Sequence, residues 1–273
     1  MMEVKTKINL TLYKHEMKNS LKLMLIFLAV ITLYVTIIIS MYDPEMMEML
    51  DTFAKAMPEL MAAMGMNVTL ASSLMEFMIS YLYGFILLIF PMVFTFIRAN
   101  ALIAKYTDNG SMVSLLASNV SRVKIALTQL LSLITSIIII IIYSTILEII
   151  TANILFDNEL ILSELLRVNL GLLCFHLCIA SISFLASCIF SDSKLSLAFG
   201  AGIPMLMYVL KMLANVGGDA EVFKYTTIFT LFDASGLSSG NTDAYIMALI
   251  LFIVSIILNI IALFIFKNKD LHI

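Results

Sequence analysis

The chain has 273 residues, of which 62% are hydrophobic and 13% are charged, and its mean hydropathy is +1.05. An average soluble domain carries about 25% charged residues. The 16 basic and 19 acidic side chains are too few to cover a water-facing surface of this size. This composition argues against a soluble enzyme, a nucleic-acid-binding domain and a disordered chain, and it indicates an integral membrane protein.

Six apolar stretches are long enough to cross a membrane as helices. A helix needs about 20 apolar residues to span a hydrocarbon core of ~30 Å. The stretches cover residues 23–42, 77–97, 125–147, 168–191, 195–216 and 244–266. They are apolar on all sides, whereas the strands of a membrane barrel alternate polar with apolar residues. We therefore predict an all-α domain of six transmembrane helices that occupies residues 1–273.

The basic residues predict the orientation, because Lys and Arg are retained on the cytoplasmic side of a membrane. With the N-terminus inside, 12 of the 16 basic residues fall in cytoplasmic segments, namely Lys5, Lys7, Lys14, Lys18, Lys22, Arg98, Lys105, Arg122, Lys124, Lys194, Lys267 and Lys269. We expect a multi-pass protein of the plasma membrane with both termini in the cytoplasm.

Two segments on the two sides of the membrane have amphipathic patterns. Residues 6–21 alternate apolar side chains with lysines, which favours an interfacial helix lying flat on the inner surface. The first outer loop, residues 43–75, is rich in methionine, and this pattern indicates either a packed outer cap or a compliant gate.

The outer segment of residues 217–243 contains an apolar stretch, residues 225–232, that is too short to cross the membrane. Such a stretch can dip into a helix bundle and return where the bundle covers its backbone polar groups. We predict a re-entrant-like outer lid formed by Tyr225, Phe229 and Phe232.

The loop between the second and third predicted helices has the most specific pattern. Asp108 or Asn109 can cap a short helix, and three apolar side chains then lie along one side of it. The residues that form the pattern are Asp108, Gly110-Ser111, Met112, Leu115-Leu116 and Val120-Ser121-Arg122.

This loop, and the layout of nearly the whole chain, resembles the permease subunits of the type-2 ABC exporter family. That family has a similar acidic residue, Gly-Ser or Gly-Thr step, Leu-Leu pair and Val-Ser-Arg-like ending. The chain departs from the family pattern at Asn119, where proline is usual, and at Tyr106-Thr107, where glutamates are frequent. The resemblance implies an inner coupling helix that seats in a groove on a separate ATPase, through Asp108, Gly110, Met112, Leu115, Leu116 and Arg122. The alternative is an ordinary amphipathic connector.

The chain contains no Gly-x-x-x-x-Gly-Lys-Ser/Thr loop that could wrap the phosphates of a nucleotide. We therefore expect no enzymatic activity and no cofactor on this chain, with ATP and magnesium bound by the partner ATPase. We also expect no metal site, because His176 projects away from Cys174 and Cys178 on a helix.

Few ionisable residues lie inside the predicted helices. Glu148 either ends the third helix near the outer surface or pairs with Lys211 of the fifth. His176 lies near the middle of the membrane, either as a neutral residue hydrogen-bonded within the bundle or in a substrate or proton pathway.

The combined interpretation is an exporter subunit for an amphipathic or hydrophobic substrate such as a peptide, lipid or drug. It would dimerise with a second copy or a sister permease. The pathway would lie between the two permeases, with the second and fifth helices as its walls, where Pro91 and Pro204 allow kinks. The other classes are a non-transporting membrane anchor or sensor and, with less support, an intramembrane enzyme.

Overall fold

The computed structural model describes residues 8–43, 52, 55–63, 73–118, 120–156 and 159–269. It contains six helical segments long and apolar enough to cross a membrane, and no strand occurs in these residues. We call them the first to sixth spans: Leu10–Ser40, Leu74–Asp108, Arg122–Leu155, Leu162–Ile189, Ser193–Val216 and Thr242–Asn268. The predicted six-helix membrane class is confirmed.

Most spans extend beyond the predicted apolar stretches because polar residues cap them outside those stretches. The side chains of Asn9, Ser121, Asp192 and Asn241 accept hydrogen bonds from backbone N–H groups of the first turns of the first, third, fifth and sixth spans. A side-chain acceptor satisfies N–H groups that have no partner within the helix. The helix ends are therefore set by caps as well as by hydrophobicity.

The second span is irregular. It consists of helix Leu74–Met78, a π-helix at Ile79–Ile86, helix Leu87–Leu102 and helix Ala104–Asp108. Because the helix breaks at Ile103, the backbone N–H of Ala104 donates a hydrogen bond to the Ser187 hydroxyl oxygen of the fourth span, at 2.9 Å.

The prediction of a separate, flat N-terminal helix is wrong from Leu10 onward. Residues 10–40 form one continuous helix without glycine or proline, and its first turns pack along the third span. The backbone N–H of Asn9 donates to Thr128, and the Tyr13 hydroxyl donates to Thr135. Because these contacts hold the N-terminal turns against the third span, residues from Leu10 onward extend the first span.

The fourth span is the centre of the bundle and contacts the second, third, fifth and sixth spans. The second, third and fourth spans are largely buried, whereas the first, fifth and sixth present long apolar faces outward. Such faces are typical of helices that contact lipid or another membrane subunit.

Short elements lie at both ends of the bundle. We call the end that carries Arg98, Arg122 and Lys269 the basic end; it also carries the inner helix, Ser111–Ala117. The opposite end carries helix Pro58–Ala63, two 3₁₀-helices at Gly218–Thr226 and Ile228–Leu231, and helix Ala234–Ser239.

Candidate functional site

The inner helix begins at a sharp turn. Gly110 has a φ of +75°, a conformation that glycine adopts without steric cost, and the Asn109 side chain accepts a hydrogen bond from the Ser111 N–H. Met112 is buried, and Leu115 and Leu116 are half-buried against the core. The predicted apolar side of this helix therefore packs on its own bundle.

The remaining residues predicted for the coupling site divide into two groups. Asp108 and Gly110 are exposed, as are Val113, Ser114 and Ala117 on the open side of the inner helix. Arg122 is occupied within the chain, because its guanidinium donates a 2.6 Å hydrogen bond to the carbonyl of Lys269, just after the sixth span. Asn119, where the chain departs from the family pattern, lies outside the described residues.

A buried ion pair connects the first and second spans beside the inner helix. The Arg98 guanidinium donates to the Glu16 carboxylate and to the Glu16 backbone carbonyl, each at 3.2 Å. The Tyr106 hydroxyl donates to the other carboxylate oxygen at 2.6 Å. We did not predict this cluster, although Glu16 shares a helix face with the buried residues Leu12 and Ser20. A carboxylate on a helix face that carries no other charged residue was the available signal.

The fourth span supplies hydrogen bonds to both proline-containing spans. A proline has no N–H, so the carbonyl four residues before it loses its helical partner. The His176 Nε2 lies 2.8 Å from the Leu87 carbonyl, which precedes Pro91 by four residues. Since a carbonyl only accepts, Nε2 carries the proton, and His176 is the hydrogen-bonded residue that one prediction described.

The same arrangement occurs at the fifth span. The Ser183 hydroxyl donates to the Gly200 carbonyl at 2.8 Å, and Gly200 precedes Pro204 by four residues. A Cβ at Gly200 would lie 3.3 Å from Ala186 and from the Ser183 backbone, so the two helices approach closely there. Pro91, Pro204 and His176 thus all lie in the interior of the helix bundle rather than on an outer face.

A buried polar cluster joins the second, third and fourth spans toward the opposite end. The Tyr83 hydroxyl donates to Glu148 Oε2 at 3.0 Å, and Asn169 Nδ2 lies 2.7 Å from that hydroxyl and 2.9 Å from the same carboxyl oxygen. The prediction that Glu148 ends the third helix or pairs with Lys211 is wrong, because the helix continues to Leu155 and these two residues are its partners.

The outer segment folds against the fourth and fifth spans. Phe229 is fully buried, with ring centroids 4.8 Å from Phe175 and 5.3 Å from Tyr208, and Phe232 is also buried. Tyr225 does not share this position: it is 81% exposed, so the predicted three-residue lid is wrong for this residue. The tyrosine lies in a polar 3₁₀-helix at the surface, before the buried part of the segment begins.

A cavity of about 570 Å³ lies beside the same segment, lined by residues that include Lys224, Ile228, Leu231 and Met247. Lys224 donates a hydrogen bond to Glu221, which lowers the pKa of Glu221 and raises that of Lys224. Both groups are charged and solvated there.

No group of residues suited to a metal ion occurs in the described part of the chain. The three cysteines are free thiols. Most of the predicted methionine-rich outer loop lies outside the described residues; its short helix Pro58–Ala63 buries Met61.

Comparison with known protein families, with curated proteins and with solved structures finds no match. The six apolar spans define a multi-pass membrane protein.

Proposed function

We propose that the chain is the membrane subunit of an ATP-driven exporter, similar to type-2 ABC permeases, with ATP hydrolysed by a separate subunit. The observation that supports this best is the inner helix at the basic end. One side of it is held by the bundle through Met112, and its other side, with Val113 and Ala117, is open. A helix anchored in this way can receive a partner and transmit its movement to the spans on either side.

We propose that the open side of the inner helix, rather than the leucine pair, enters the groove of the ATPase. Leu115 and Leu116 already pack against the core. The Arg98, Glu16 and Tyr106 cluster then links the docking site to the first and second spans. Force applied at the inner helix would reach the bundle through these short connections.

The test is the double substitution Val113→Asp with Ala117→Asp in the full-length chain. Both positions are exposed, so the variant should fold; two carboxylates in an apolar groove should weaken ATPase binding at least about tenfold, equivalent to ~1.4 kcal/mol. Val222→Asp, at an exposed position on the opposite end, is the matched control.

Co-purification of an ATPase and its stimulation by substrate are measured on the same detergent extracts. We expect the ATPase to co-purify and to respond to substrate with the wild type and with the control. With the double variant, we expect co-purification and stimulation to be lost. An ATPase that binds the double variant normally refutes docking through this face. If no ATPase accompanies the wild type, the chain is better described as a non-transporting anchor or sensor.

The orientation is tested separately. A single cysteine at Glu159 or Asp243, in a cysteine-free background, should react with a membrane-impermeant thiol reagent in intact cells, and one at Lys105 should not. All three positions are exposed in the structure, so a difference in labelling reports the side of the membrane. Labelling at Lys105 alone would place the inner helix outside and remove the docking proposal.

We further propose that the outer segment covers the pathway of a hydrophobic or amphipathic substrate. Phe229→Asp buries a carboxylate among Phe175 and Tyr208 and should impair transport, because an unpaired buried charge is costly. Tyr225→Asp, at an exposed site in the same segment, should transport normally. Normal transport by Phe229→Asp would refute the lid.

A further inference from the structure

The cluster of Tyr83, Glu148 and Asn169 has more hydrogen-bond acceptors than donors. Tyr83 supplies one O–H and the Asn169 amide supplies two N–H bonds, and these point to Glu148 Oε2, to the Tyr83 oxygen and to the carbonyl of Leu165. Two acceptors, Glu148 Oε1 and Asn169 Oδ1, are buried and have no hydrogen-bond partner among the described residues. A protonated carboxyl group has one O–H donor, so a proton on Oε1 would convert one of these two acceptors into a donor and make the group neutral.

The cluster has no counter-charge in the described residues. From the fourth span, Arg167 donates instead to the carbonyls of Leu237 and Ser238, and Glu164 accepts from the Ser238 hydroxyl. In the second span Tyr83 is the titratable group in contact with the carboxyl group.

The first and sixth spans, which also pack on the third span, add no counter-charge beside Glu148. The first span has no charged residue between positions 23 and 40, and the sixth brings Asp243, which is exposed at its first turn. Glu148 itself has no measurable exposure. An ionised carboxylate without a cation in such a place is strongly disfavoured.

We propose that Glu148 is a proton-binding site, in which Oε1 carries the proton and the side chain is a neutral acid. The binding step is the addition of one proton to a carboxylate, with no change of oxidation state. Its neighbour Tyr83 lies within the π-helix Ile79–Ile86, and π-helical turns are frequent at functional sites. The Tyr83 hydroxyl and the Asn169 amide, which donate to Oε2, join this irregular part of the second span to the third and fourth, and the proton on Oε1 removes the unpaired charge from this contact. This inference does not depend on ATPase docking.

The test compares the wild type with Glu148→Gln, the neutral isostere of the protonated acid, and with Glu159→Gln, whose carboxyl group is exposed. Thermal unfolding of the purified full-length protein is followed from about pH 5 to about pH 9, the range in which buried carboxyl groups titrate. The fold favours the neutral form of Glu148, so its contribution to stability is present at low pH and is lost as pH rises. The wild type and Glu159→Gln should therefore lose several degrees in midpoint, and Glu148→Gln should not.

Hydrogen exchange gives a local readout of the same site. Amides of residues 79–86 should exchange at least severalfold faster at high pH than at low pH, after correction for intrinsic exchange rates, in the wild type and not in Glu148→Gln. A Glu148→Gln variant that is much less stable than the wild type at low pH, or that fails to fold, would show that the charged form is required and would overturn the proposal. Stabilisation of the wild type at high pH by NaCl or KCl, relative to N-methylglucamine chloride, would identify a cation site instead and would also overturn it.

Discussion

Replacement of His176 by leucine tests how the bundle tolerates a proline in the middle of the second span. Pro91 has no N–H, so the Leu87 carbonyl depends on His176 Nε2, 2.8 Å away. His176→Leu removes this donor and leaves the carbonyl unpaired in a fully buried place. An unsatisfied buried acceptor costs about 1 to 3 kcal/mol.

The decisive comparison repeats His176→Leu in the Pro91→Ala background. Alanine at position 91 restores the backbone N–H that the Leu87 carbonyl lacks, so the acceptor remains paired when the histidine is lost. In the Pro91→Ala background, His176→Leu should therefore lower the free energy of unfolding by at least about 1 kcal/mol less than it does in the wild type. Changes in side-chain packing, including the lost edge contact of His176 with Phe175, occur in both backgrounds and cancel.

The assay is the free energy of unfolding of all four proteins in mixed detergent micelles, measured by denaturant titration and checked for reversibility. Equal costs of His176→Leu in the two backgrounds would refute the reasoning, because the histidine would then act through packing alone. A larger cost in the Pro91→Ala background would refute it as well.

Two further predictions concern helix contacts. Gly202→Ala should stabilise the protein by up to about 1 kcal/mol through helix propensity, because no described residue lies within 4 Å of a Cβ at this position. Gly200→Ala should lose this gain, because its Cβ is crowded against the fourth span. Equal unfolding midpoints of the two variants would contradict the close approach. Arg98→Leu should lower the free energy of unfolding by about 3 to 5 kcal/mol, because it leaves the buried Glu16 carboxylate without its cation. The double variant with Glu16→Leu should recover much of this loss. Additive losses in thermal unfolding would contradict a buried pair.

The number and type of the spans were predictable from the sequence because twenty apolar residues in a row have few alternatives in a membrane. The short inner helix was also predicted, since a capping residue at Asp108 or Asn109 followed by Met112 and Leu115 indicates a start and an apolar side; the structure begins the helix at Ser111, after Gly110. Whether that apolar side faces the bundle or a partner was not predictable from the sequence. An apolar helix face packs equally well on its own bundle or on a partner, and hydrophobicity alone does not distinguish the two.

The sequence by itself determined the class of the protein and the approximate place of each span, because both depend on local hydrophobicity and on capping residues. Only the tertiary structure decided which polar residues meet. Glu148 and Asn169 belong to different helices, and so do His176 and the Leu87 carbonyl. Their pairing depends on the rotation and depth of each helix in the bundle, which follow from side-chain packing across the whole fold. A uniformly apolar helix carries little information about that rotation, so these contacts had no signature in the sequence.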